Sequence, residues 1–256
     1  MTLALLLLLF QAPPEGDVQE GFVWEQEVER ILLDTLDRKR EIHRRERVTY
    51  RSGNLLVEDL TFGEKLLIRS DRQTVWVIDT LAGTWSRLGF EQVRRRQSAV
   101  LSEIGRTRER VPGTADEKAL TLLLEGYGRF DKTPSAELRT PGKTRDVLGR
   151  PCPRRDLIVN GNIRRVSVYV DPTIPAGGYL QTLAKIGAFS KEEADALEGL
   201  RGLPVEGVLR YVSFLDRVQA RIRVTSARKV VLPADTFDPP ATGKEVPLAR
   251  FAEKNP

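Results

Sequence analysis

Glu46-Arg47-Val48-Thr49-Tyr50-Arg51, then Ser52-Gly53-Asn54, then Leu55-Leu56-Val57-Glu58-Asp59-Leu60 is the stretch from which the fold is read. Two runs rich in β-branched and aromatic residues flank a Ser-Gly-Asn turn, which predicts an antiparallel hairpin. The pattern repeats downstream. Phe62-Gly63-Glu64 turns into Leu66-Leu67-Ile68-Arg69, Ser70-Asp71-Arg72 into Thr74 to Asp79, and Leu81-Ala82-Gly83 into Thr84 to Leu88. Upstream, Phe22 to Leu32 reads as a strand with Trp24, Gln26, Val28, Arg30 and Leu32 on one face and Val23, Glu25, Glu27, Glu29 and Ile31 on the other, although neither period 2 nor period 3.6 is clean.

After Leu88 the period changes. Phe90, Val93, Gln97, Val100, Leu101 and Ile104 recur at helical spacing, with Arg94-Arg95-Arg96 on the polar side. A helix is expected from Phe90 to Arg108, a break at Val111-Pro112-Gly113, and a second helix from Asp116 to Gly126. Strands return at Thr144 to Leu148 and at Cys152 to Val159, which pairs through Asn160-Gly161-Asn162 with Ile163 to Val170. Tyr179, Leu180, Leu183 and Ile186 form an apolar helical stripe, and Ser190-Lys191-Glu192-Glu193 is a capping box. Val205 to Asp216 and Val218 to Ser226 alternate cleanly, with a hairpin at Leu215-Asp216-Arg217. Sheet, two helices, sheet, two helices, sheet describes an antiparallel α+β domain. One domain is expected over residues 18–232, and residues 233–256, with Pro239-Pro240, Gly243 and Pro247, are read as an extended or disordered tail.

Leu3 to Phe10 is an unbroken apolar run followed by Gln11-Ala12-Pro13-Pro14. It is about half the ~20 residues a spanning helix requires. Residues 1–17 are therefore read as a secretory signal peptide and short linker, and the mature chain as soluble and extracytoplasmic, in the periplasm or secreted. No Lys or Arg precedes the run, and an uncleaved anchor or a buried strand is the alternative.

The chain has 256 residues, a net charge of +5 and a charged fraction of 30%. Arg outnumbers Lys, which describes solvated faces or attraction to an anionic partner. Cys152 and His43 are each the sole residue of their type, so a disulfide within the chain and a Cys- or His-rich metal site are excluded. Cys152 is either a thiol activated by Arg150, Arg154 and Arg155 or a small half-buried strand residue; the second is preferred. His43 sits in Arg38-Lys39-Arg40-Glu41-Ile42-His43-Arg44-Arg45, read as a solvated charged turn. Glu25, Glu27 and Glu29 share a strand face and read as an exposed edge or a set of cross-strand salt bridges. Gly177-Gly178 lacks the Lys-Ser/Thr of a phosphate loop. Neither catalytic nor metal-binding residues are assigned, no cofactor is implied, and an enzyme is the least supported class. Nucleic acid is disfavoured because the interleaving of aromatic with basic residues, Tyr211 and Phe214 near Arg210, is weak and the export signal argues against it.

Lys143-Thr144-Arg145-Asp146-Val147-Leu148-Gly149-Arg150-Pro151-Cys152 resembles the hairpin of a group of uncharacterised exported bacterial proteins, themselves similar to the periplasmic lipoprotein carrier. Val168-Tyr169-Val170-Asp171-Pro172, Gly202-Leu203-Pro204-Val205 and Leu232 to Pro240 match the same group, so the resemblance spans Val18 to Pro247. It implies a half-barrel, a curved antiparallel sheet with helices on its concave side, whose cavity in the carrier holds lipid chains. The expected function is a non-enzymatic protein that binds an apolar or amphipathic ligand, such as a lipid or a lipoprotein acyl chain. The alternative is a cell-envelope structural or interaction module with a solid core and a protein partner. Trp24, Trp76, Trp85, Tyr169 and Phe214 are the candidate ligand-binding residues, against the simpler reading that they fill a core.

Overall fold

The computed structural model describes residues 19–33, 39–126, 134–161, 163–212 and 217–248. The apolar run at 3–10, Phe214, the turn at Leu215-Asp216 and the tail beyond 248 lie outside the described residues.

The strands are β1 (Gln19–Leu33), β2 (Lys39–Arg51), β3 (Asn54–Asp59), β4 (Glu64–Arg69), β5 (Thr74–Asp79), β6 (Thr84–Gly89), β7 (Ala136–Arg139), β8 (Thr144–Val147), β9 (Arg150–Val159), β10 (Ile163–Asp171), β11 (Leu203–Val212), β12 (Arg217–Leu232) and β13 (Lys244–Glu245). The helices are α1 (Phe90–Glu109), α2 (Ala115–Gly126), α3 (Gly178–Lys185) and α4 (Lys191–Leu197), with a 3-10 turn at Ala234–Phe237. The strands make a 13-stranded sheet in the order β13-β6-β5-β4-β3-β2-β1-β12-β11-β10-β9-β7, with β8 paired to β9. Every pairing is antiparallel except β13 with β6. Of the described residues 50% are strand and 22% helix.

This overturns the expected α+β half-barrel: the sheet is open and mixed, and the helices are few. The reason is physical. The expected sheet is built from antiparallel hairpins alone, whereas β13 joins β6 in parallel. Here one edge ends on β7 and the other on the parallel β13. The motifs behind the resemblance are turns and strand ends, which specify hairpins and not how the outermost strands meet.

The meander β2 to β6 follows from its turns, and β1 joins it to the second half by pairing with β12 along 14 of its residues, from Gln19↔Leu232 to Leu32↔Val218. Opposite Glu25 and Gln26 the partner strand bulges at Thr225, while β1 itself alternates regularly; its pattern looks impure because polar Gln26 and Arg30 share the face of Trp24 and Val28. The β2 strand begins at Lys39, so the charged run at 38–45, expected as a turn, is strand as far as the described residues show it. Beyond Leu232 the chain continues in regular contact. Phe237 is buried, and Lys244–Glu245 pairs with Thr84 and Trp85.

The sheet has two faces with separate cores. On one, here the core face, Trp24, Val48, Leu55, Ile68, Val75 and Leu88 lie across β1 to β6 and meet Phe90 and Val93 of α1, Tyr179 and Leu180 of α3 and Leu197 of α4. On the other, Leu67, Trp76, Leu232 and Phe237 form a smaller cluster, with Trp85 and Ile78 packed against it. The α3 helix is fixed against the β2–β3 turn by the Thr182 hydroxyl, which donates to the Gly53 carbonyl at 3.2 Å. Its first residue, Gly178, lies so close to Tyr50 that a Cβ would come within 2.3 Å of the phenol oxygen.

Candidate functional site

Strand alternation places residues i and i+2 on one face. On β1 and β2 this puts Gln26, Arg30, Arg44 and Glu46 on the core face, beside Val28 and Val48. Register brings them together: Gln26 faces Glu46, Val28 faces Arg44, and Glu46 faces Asp59 of β3. The result is a polar ribbon across an otherwise apolar surface. Arg44 Nη1 donates to Asp59 at 2.6 Å and to Glu64 at 2.9 Å. Arg30 Nη2 donates to Glu46 at 2.7 Å, and Gln26 Nε2 donates to the other Glu46 oxygen at 2.9 Å. The Arg44 and Asp59 side chains are only 8% and 5% exposed, so these are desolvated charges held by their pairing. The Arg44 Nε–H is buried with no hydrogen-bond partner.

The ribbon forms one end of a cleft of about 180 Å³ between the sheet and α3. Apart from Lys65 the rest is apolar: Val48, Leu55, Val57 and Ile222 from strands, Leu183 and Ile186 from α3 and its C-terminal end. A space of this size is close to the ~150 Å³ that accepts a single aromatic ring, and below the ~300–1,000 Å³ of ordinary ligand sites. The cleft therefore fits the apolar end of a molecule, with a polar group at Arg44, and not a whole lipid.

The aromatic residues singled out from sequence do not converge. Trp24 is buried on the core face, its ring 5.4 Å from that of Tyr179 in an edge-on contact. Its indole N–H donates to Gln26 Oε1 at 3.0 Å, and Tyr179 lines the cleft, so Trp24 backs the site without lining it. Trp76 and Trp85 belong to the opposite face. Tyr169 is half-buried under the Arg145 guanidinium, 4.9 Å from the ring centroid. Phe214 is outside the described residues.

Cys152 is fully buried; burial, followed by Asp171, pushes its thiol up and away from the reactive thiolate. His43 is exposed on β2. Glu25 and Glu29 are cross-strand ion-paired, with Arg47 at 2.9 Å and Arg221 at 3.0 Å, on the outer face. There Glu27 and Glu29 border a wide groove of about 890 Å³ that also takes in His43, Arg45, Arg145, Glu206 and Arg223. Among the described residues no three His, Cys, Asp or Glu side chains gather as a metal would need, and no helix is long and apolar enough to cross a membrane.

No family model and no curated protein matches the chain. Among solved structures it is similar to an uncharacterised conserved protein from Thermus thermophilus, at 10% identity and a TM-score of 0.42, covering 88% of this chain and 89% of that one. It is a weak neighbour of a LolA superfamily protein from Nitrosomonas europaea, at 10% identity and a TM-score of 0.32, covering 86% and 90%. It also resembles PNGF-II, at 11% identity and a TM-score of 0.35, covering 90% of this chain but 32% of that one. These likenesses are too weak to transfer an activity.

Proposed function

We propose that this chain is a binding protein, not a catalyst, that holds the apolar end of an amphipathic molecule in the cleft between the sheet and α3. The observation that carries the reading is the cleft's two-part lining. Apolar walls end on a polar ribbon whose Arg30 and Glu64 side chains, each 27% exposed, remain within reach of a ligand. The ligand's polar end would meet these groups while its apolar end leaves water. This is the ligand class implied by the sequence resemblance. The apolar run Leu3 to Phe10 supports placing the activity outside the cytoplasm. Recovery of the chain from the cytoplasm with residues 1–17 intact would overturn that placement.

The test is titration with a dansyl-labelled fatty acid, read by fluorescence, for the wild type and Ala220→Leu. Ala220 is 2% exposed and lines the cleft. Where a core is solid, such an enlargement costs about 1–3 kcal/mol; where space exists, it costs little. The expected result is saturable binding by the wild type, and loss of binding at unchanged urea midpoint in the variant. No binding by the wild type, together with a destabilised variant, would show a packed core and favour an interaction module.

A further inference from the structure

Two turns beside the polar ribbon carry a second feature. Leu60 and Phe62, in the β3–β4 turn, are 45% and 47% exposed, and Leu81, in the β5–β6 turn, is 83% exposed. Turn tips favour Gly, Asn, Asp and Ser, and a leucine that is mostly in water adds nothing to folding. The two tips are joined. The Thr80 N–H donates to the Gly63 carbonyl at 3.0 Å, and a Cβ on Gly63 would meet the Leu81 side chain at 3.0 Å. They are also held in shape from below. Asp59 accepts from the Thr61 and Phe62 N–H groups at 2.8 and 3.0 Å, and Asp79 accepts from Ala82 at 2.8 Å. The three apolar side chains thus sit on one built lip. The lip reaches the cleft directly, because the Arg44 guanidinium lies 5.1 Å from the Phe62 ring centroid. On its other side Thr61 and the exposed Arg45 border the outer groove with Arg223 and with Arg145 and Arg221, the last two paired with Glu206 and Glu29.

We propose that this lip docks on a lipid bilayer surface, Leu60, Phe62 and Leu81 entering the boundary between headgroups and acyl chains while the neighbouring arginines meet anionic headgroups. The proposal rests on the cleft reading, since an amphipathic ligand is drawn from a lipid phase and the lip lies beside the cleft's polar ribbon. Apolar side chains flanked by basic ones are the interfacial pattern, and the net charge of +5 favours an anionic surface. A protein partner fits less well. A specific interface covers about 800 Å² on each side, more than three side chains on two narrow turns supply.

The experiment is flotation of the full chain with vesicles of phosphatidylcholine, with and without phosphatidylglycerol, for the wild type, Leu81→Asp, Leu60→Ser/Phe62→Ser and Ala220→Leu. The wild type is expected to float with the anionic vesicles and to be released by salt. Leu81→Asp should lose roughly tenfold or more in partitioning, the loss expected for one large apolar side chain left in water, at unchanged circular dichroism and urea midpoint. Ala220→Leu, altered only in the cleft, should float like the wild type. A wild type that stays in the soluble fraction with both vesicles overturns docking and leaves the cleft reading standing. Floating with no fatty-acid binding overturns the cleft reading and keeps the lip. Leu81→Asp floating like the wild type overturns the lip. Capture of an envelope protein by the wild type but not by Leu81→Asp, without flotation, replaces the bilayer with a protein.

Discussion

Replacing Glu193 should destabilise this protein more than replacing almost any apolar core residue. Glu193 and Arg165 are both fully buried, with Nε and Oε1 2.6 Å apart. Arg165 stands at a register shift of β10 between Arg164 and Val166, and such a bulge re-aims a side chain. Its guanidinium lies 5.8 Å from the centroid of the Phe189 ring, and its Nη2 donates to the Ala188 carbonyl at 3.4 Å. The second Glu193 oxygen accepts from the Ser190 N–H at 2.7 Å, closing the capping box of α4. One carboxylate therefore holds a strand to a helix, and with it the Ala188 segment that lines the cleft. Glu193→Ala removes the carboxylate paired with a fully buried guanidinium, about 3–5 kcal/mol, and removes half of a cap, about 1 kcal/mol. The expected loss of about 4–6 kcal/mol takes up much of the ~5–15 kcal/mol that keeps a domain folded. Arg165→Met/Glu193→Leu replaces both charges with apolar volume and should recover most of it. Urea unfolding at constant slope measures each variant, and the double-mutant cycle gives the coupling. A loss below about 1 kcal/mol for Glu193→Ala, or a double variant no more stable than the single one, would refute the claim that the pair is desolvated and mutually dependent.

Gly207 of β11 has φ of +151°, and a Cβ there would lie 2.1 Å from the Ser167 carbonyl oxygen of β10. Gly207→Ala should cost on the order of 3 kcal/mol, seen as a lower Tm. Asp71 is held down at about 2, chiefly by its hydrogen bond to Arg69, against the usual 3.8. Its folded pKa lies below the unfolded one, so its contribution is complete above about 3.8 and lost as pH falls through about 2. The Asp71 side chain is 50% exposed, so screening leaves less than about 1 kcal/mol, and Asp71→Asn should trail the wild type slightly at neutral pH and match it at the acid end.

The local structure was legible wherever turn chemistry and period agreed. Asn160 and Gly161 adopt φ of 49° and 77°, as an Asn-Gly hairpin requires. The helix expected from Phe90 to Arg108 is Phe90–Glu109, and the capping box read at Ser190 and Glu193 is formed. The final strands, which have no helix-rich partner of their own, complete the first sheet, and the pairing of β12 with β1 that does so comes from the structure. What failed was global. The two-residue β13 is too short to show a period, yet it decides one edge of the sheet. The half-barrel expectation came from hairpin motifs, whose physics is confined to neighbouring strands.

The site was hidden for a different reason, and it explains why the aromatics misdirect. Arg44 sits in a charged octet that linear reading assigns to solvent, and Gln26 and Arg30 share the face of Trp24, Val28 and Leu32 with nothing in the linear sequence to mark their partners. Only the register across β1, β2 and β3 brings them onto the core face as one ribbon. Large aromatics instead distribute wherever volume must be filled, which here means both faces of the sheet. Of the described candidates Trp24 comes nearest the site, backing it through its N–H. Trp24 donates to Gln26, and Gln26 and Arg30 both donate to Glu46. The informative signal was therefore not hydrophobicity in a polar context but its converse. Polar residues at positions whose i±2 neighbours are Val28 and Val48 mark a place where the core face carries costs that packing alone would avoid.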